Sequence, residues 1–201
     1  MAVRYSFILI PDPSFLRLIH TSRQILCNQF GCWTAEMFMI HVPLINFFKS
    51  ESIEVSMNDK TVQGIVNDCK IDNWTLIPSC ITNPANTSLD LYIDCLTPNQ
   101  ANPFINIKRR LMTELKIDSL GTSSDRLRIP LLENFDGNPT VWEEAITMAK
   151  DLFDNFGLNT PFDVRSLNLV KYESKSASDQ WEREKWCSDI SWDILESFKL
   201  G

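Results

Sequence analysis

The chain has 201 residues, 44% of them hydrophobic and 22% charged, with a formal net charge of −7. That length supports one sizeable core without help from disulfides, and the acidic balance argues against a protein that coats nucleic acid through a broad basic surface. The longest apolar runs, such as 7–10 and 37–40, fall far below the roughly 20 residues a membrane span needs, so no membrane partner and a cytoplasmic location are expected.

In chain order, Tyr5–Ile10 is β-rich and stops at Pro11 and Pro13, which can open a helix. Helical spacing of Phe15, Leu16, Leu18, Ile19, Ile25 and Leu26 predicts a helix from Ser14 to about Asn28, with Gly31 as its stop. A strand over 37–47 comes next, then a helix with Val62, Ile65, Val66 and Cys69 on one face, then strands over 73–82 and 89–96. Pro103 opens a further helix, followed by a strand over 126–135 and the longest helix, from Pro139 to near Gly157. Strands over 162–172 and 191–200 close the chain around a polar loop, 173–189.

The second half thus replays the first, and each copy carries one matching tetrapeptide. His41-Val42-Pro43-Leu44 and Arg128-Ile129-Pro130-Leu131 both read polar, apolar, proline, apolar inside a short apolar run. A duplicated unit brings equivalent positions together across a pseudo-twofold axis. The expected architecture is one domain over 1–201, with halves of roughly 1–97 and 98–201. It is α+β, with two antiparallel sheets forming a central cleft and helices outside. The two motif strands are expected near the centre of their lobes, with His41 and Arg128 facing the cleft.

This pattern resembles the 2H phosphoesterase superfamily, which includes the 2′–5′ RNA ligases and cyclic phosphodiesterases. The resemblance runs from RYSFILIPDPSF through the two tetrapeptides and FDVRSLNLVKYES to the ending WDILESFKLG. It implies that each half should carry His-apolar-Thr/Ser-apolar, the two imidazoles exchanging protons as base and acid while the hydroxyls donate to the phosphate. His41 matches the first His. Arg128 stands in place of the second, and Pro43 and Pro130 stand in both hydroxyl places.

A guanidinium stays charged and cannot serve as the missing acid, although its planar fork suits a phosphate. Proline supplies neither a hydroxyl nor an N–H. The expected function is therefore that of a divergent 2H-like protein without standard catalysis, binding a small phosphate-bearing ligand or nucleotide, or a protein partner. The alternative is a live phosphoesterase acting on 2′,3′-cyclic or 2′–5′ linked nucleotides, with His41 as base and Arg128 as phosphate clamp.

Each candidate also has a plain structural reading. His41 is a catalytic remnant or a satisfied buried histidine. Arg128 binds an anion or pairs with an acid such as Glu133 or Asp125. Lys108-Arg109-Arg110 is read as a solvated helix face, and His20 as a surface or packing residue without an acidic partner at ligand spacing. Trp181 and Trp186 either cap the sheet or form an interface arm. The cysteines (Cys27, Cys32, Cys69, Cys80, Cys95, Cys187) include no CxxC and read as free thiols. Neither a metal site nor a cofactor is expected.

Overall fold

The first helix shows how local sequence sets the frame. Asp12 precedes Pro13, and its Oδ1 accepts the backbone N–H groups of Ser14 (2.8 Å) and Phe15 (3.2 Å), so two otherwise orphaned donors are satisfied. At the far end Gly31 takes φ 69°, a left-handed conformation that glycine adopts without steric cost, and its N–H donates to Cys27 O at 2.8 Å. The computed structural model describes residues 1–49, 59–69, 74–84, 88–95, 103–118, 126–133, 139–177 and 189–200.

Within these residues the elements are β1 (Ala2–Pro11), α1 (Pro13–Phe30), a 3-10 turn (Thr34–Met37), β2 (Val42–Phe48), α2 (Asp59–Asp68), β3 (Thr75–Thr82), β4 (Ser88–Cys95), α3 (Pro103–Glu114), β5 (Leu127–Glu133), α4 (Pro139–Asn155), β6 (Phe162–Ser174) and β7 (Ser191–Lys199). The seven strands are antiparallel and follow the order β2-β1-β6-β3-β4-β5, with β7 also on β6. The protein is α+β, as expected.

β6 joins the two arms of the sheet. Along one edge it pairs with β1 from Val164 to Ser174; along the other it pairs with β7 over most of its length and with β3 only at Phe162 and Asp163. Asp12 ties this junction to α1, because its N–H donates to Asp163 O (2.9 Å) and its Oδ2 accepts Asp163 N–H (3.2 Å). Asp12→Ala is expected to cost about 1–2 kcal/mol, the upper part of the range for a lost cap, measured by urea unfolding. A loss under about 0.3 kcal/mol would show that the cap and the tie to β6 contribute little.

One core lies between the sheet and the helices, and includes Phe7, Leu9, Ile129, Leu131, Trp142 and Phe162. Phe15 of α1 stacks on Phe162 with ring centroids 4.0 Å apart. Side chains alternate along a strand, so Ile8, between Phe7 and Leu9, points the other way. A second cluster sits on that face: Ile8, Val170, Tyr172 and Ala177, with Phe38, Met39, Phe47 and Ile190 packed against it.

The two motif strands lie at the ends of the sheet order rather than near the centre of each arm. β2 pairs only with β1 and β5 only with β4 among the described strands, and each meets its neighbour through irregular register, near Ile8↔Pro43 and at Asp90↔Pro130. The prolines account for this, since a residue without an N–H is tolerated on edge strands and at bulges. The strand expected over 37–47 begins at Val42, and Thr34–Met37 forms a 3-10 turn instead. The apolarity of Phe38 and Met39 serves packing against the second cluster.

Candidate functional site

α1 buries Phe15, Ile19, Ser22, Arg23, Leu26 and Cys27, one helical face with a guanidinium in its middle. Arg23 is 1% exposed. Its Nε donates to Pro130 O at 2.9 Å, and its Nη1 donates to Ala35 O at 2.9 Å and to Phe38 O at 3.1 Å. The turn between α1 and β2 thereby gains donors for two backbone carbonyls, and the Pro130 carbonyl on edge strand β5 gains a third. Burial pushes the Arg23 pKa down, while Glu36, then Glu133 and Cys27, act the other way. The guanidinium stays charged throughout the accessible pH range.

His41 sits at the start of β2, beside this arginine, and is 9% exposed. Its Nδ1 lies 2.7 Å from Met39 O; a carbonyl only accepts, so Nδ1 carries the proton and Nε2 keeps the lone pair. Burial pushes the imidazole pKa down to about 4; the Met39 bond opposes the shift and the Arg23 charge adds to it. His41 is therefore a neutral imidazole at pH 7.

Arg128 has a different partner. It lies on β5, which pairs with β4, and its Nη1 donates to Oδ2 of Asp90 on that strand. The Arg128 side chain is 27% exposed and that of Asp90 is 0% exposed. The partner found is a carboxylate distant in sequence, and Asp125 lies outside the described residues. The same face repeats the theme: Arg126 lies 3.8 Å from Asp94 and 4.5 Å above the Tyr92 ring.

β2 and β5 come within 8 Å of one another by Cα positions, and Arg23 links their surroundings through Pro130 and the Ala35–Phe38 turn. The group placed with His41 is Arg23, which the motif comparison did not single out. Its signal was present in the sequence: Arg23 falls four residues after Ile19 and three before Leu26, inside the apolar stripe. Pro43 and Pro130 are half-buried. Trp181 and Trp186 lie outside the described residues.

His20 is exposed, as expected of a surface residue, with Nδ1 3.6 Å from Glu36 Oε2, whereas the reading of the basic triplet changes. Lys108-Arg109-Arg110 is not uniformly a solvated face: Arg109 is exposed, Lys108 is buried beside Ile107 and Leu111 in the α3 stripe, and Arg110 pairs with Glu114 (2.8 Å) and Asp68 (3.2 Å). Among the described residues, Cys27, Cys32, Cys69 and Cys80 are free thiols, no group of three or more His, Cys, Asp or Glu is placed to hold a metal ion, and no helix is long and apolar enough to cross a membrane.

This fold is shared with a solved phosphoesterase structure. A crystal structure of a phosphoesterase matches 100% of this chain and 99% of its own, with TM-score 0.54 and 11% sequence identity. Escherichia coli LigT complexed with ATP matches over 98% of this chain and 97% of its own, with TM-score 0.49 and 13% identity. No protein-family model and no curated protein matches the sequence. At such identities the likeness is one of fold.

Proposed function

We propose that this is a 2H phosphoesterase-like protein that does not carry out two-imidazole acid–base turnover and acts by binding, with a protein partner favoured over a nucleotide. The observation that carries the reading is the ion pair at the second motif position. A phosphate that drew Arg128 away would have to break its ion pair with the buried Asp90 carboxylate, and breaking a buried pair from one side is costly. The position that should hold the second proton-transfer group is thus both chemically unsuited and already engaged. His41 adds to this, since a base whose pKa is about 4 captures a proton poorly near pH 7. The reading includes a cytoplasmic location and a single duplicated domain. The second is supported by the element order βαβαββ followed by αβαββ.

One feature favours the alternative, a live phosphoesterase. The Met39 carbonyl fixes the His41 tautomer that leaves Nε2 as an acceptor, as a general base requires. Incubation with a panel of 2′,3′-cyclic nucleotides and 2′–5′ oligonucleotides separates the two readings. Hydrolysis by wild type is expected to be indistinguishable from that of His41→Ala, because losing one acid–base partner typically forfeits about 10²–10⁴-fold. Mononucleotides are expected to bind weakly and equally to wild type and Arg128→Ala by calorimetry. Robust turnover abolished by His41→Ala would establish the phosphoesterase reading in its place.

A further inference from the structure

β7 is built unlike the other strands. Ser191–Ser197 are all exposed, and Trp192, Ile194 and Leu195 are 40%, 43% and 42% exposed. Its inner edge pairs with β6, and among the described residues no strand pairs with its outer edge. Among the described residues its C-terminal end is covered, where Gln63 of α2 donates to Lys199 O at 3.0 Å and Phe198 is buried. An edge strand this open presents a row of backbone donors and acceptors that can template a further strand.

The register sorts its side chains by chemistry. Trp192 lies opposite Tyr172 and Ile194 opposite Val170, so both share one face; Asp193 lies opposite Lys171 and Glu196 opposite Leu169, on the other face. The shift between Leu169 and Val170 leaves Leu195 as the extra residue of a bulge, which moves Glu196 to the side of Asp193. The Lys171 ammonium behind Asp193 is held by Glu173 Oε1 at 2.7 Å. One face of this edge is therefore apolar and the other acidic.

We infer that β7 is a docking edge for an extended, basic segment of another protein, which adds to the sheet as an eighth strand. Its apolar side chains lie beside Trp192 and Ile194, and the alternate Lys or Arg side chains lie beside Asp193 and Glu196. Backbone pairing supplies the binding geometry and the alternation supplies selectivity. A second copy of this chain is a poorer occupant, because it brings the same acidic strand and the same net charge of −7. The site and the His41 position flank β6 on different sides, since β7 lies on the edge of β6 opposite β1.

The probe is a fluorescein-labelled heptapeptide of alternating Lys and Val, read by anisotropy against the full chain, with Glu-Val and Lys-Pro heptapeptides as comparisons. The Lys-Val peptide should bind saturably and more weakly as salt rises. Affinity should drop at least tenfold for the Asp193→Lys/Glu196→Lys double variant and also for Ile194→Lys, with circular dichroism melts confirming that both variants fold. The Lys-Pro peptide, which cannot donate to a ladder at every second residue, should bind at least tenfold more weakly. Equal binding of Lys-Pro would reduce the interaction to charge attraction and overturn the strand-addition proposal. Absence of Lys-Val binding at 1 mM, equal binding of Glu-Val, undiminished binding by the double variant, or a β7-dependent dimer in sedimentation would overturn it as well.

Discussion

Arg23→Ala should lower the free energy of unfolding by about 3–5 kcal/mol, the largest single-residue loss expected outside the apolar core. The substitution removes three hydrogen bonds, to Pro130 O, Ala35 O and Phe38 O, from a side chain that is 1% exposed. Each buried carbonyl left without a donor costs roughly 1–3 kcal/mol, and breaking a buried charged cluster from one side falls in the same total range. Glu36 and Glu133 would also lose the guanidinium that acts on them electrostatically. Arg23→Met keeps most of the volume and supplies no donor, so it should remain within about 1 kcal/mol of the alanine variant if hydrogen bonding rather than packing is the main loss. For a chain of this length the shift in Tm is on the order of 10 °C. A loss under 1 kcal/mol in urea unfolding would mean that α1 does not hold the β2 and β5 surroundings together through this residue.

Acid should destabilise the protein through His41. The imidazole pKa is lowered from 6.5 to about 4 in the folded chain, so the unfolded chain binds the extra proton between those values. The stabilising contribution is fully present above pH 6.5 and is lost as the pH falls towards 4. From pH 7.5 to pH 5 the loss amounts to about 2 kcal/mol, rising to about 3 kcal/mol below pH 4. His20 and Glu36 lie 3.6 Å apart at the neighbouring turn and Glu133 also acts on Arg23, so the informative quantity is wild type minus His41→Gln. That difference should shrink by about 2 kcal/mol between pH 7.5 and pH 5. A difference independent of pH would place the imidazole in a far more solvated setting.

Much of the fold was legible because local chemistry and tertiary role coincide. Pro13 and Gly31 bracket α1 in the sequence as they do in space, and the short apolar run around Ile129 marked β5. Legibility failed where one residue type served two purposes. Phe38 and Met39 extended an apolar run that reads as strand, yet they cover the face around Tyr172 while Arg23 takes the nearby carbonyls. In β7 the bulge at Leu195 breaks the alternation from Trp192 to Phe198, and nothing short of the register with β6 discloses it.

The candidate site was legible at its motif positions and obscure in its partners. The matched tetrapeptides located His41, Pro43, Arg128 and Pro130, but long-range pairing decided what they do. Asp90, Tyr92 and Asp94 alternate along β4 just as Arg126, immediately before β5, alternates with Arg128 on it, so two segments of opposite charge pattern were visible before their register was known. Arg23 was visible as a charge on an apolar stripe. Both signals mark groups whose charge must be compensated inside the protein, a structural demand that matches to catalytic motifs do not detect.

The chemistry at the first motif position is read most directly by following the imidazole nitrogens of His41 by NMR as the pH is lowered, with His41→Gln used to assign the resonance. The structure predicts a neutral ring protonated on Nδ1 at pH 7, titrating near 4 and unmoved by 2′,3′-cyclic nucleotides. A ring that titrates near 6.5 or above, or that changes protonation when a cyclic nucleotide is added, would contradict a silent site and restore His41 as a working acid–base group.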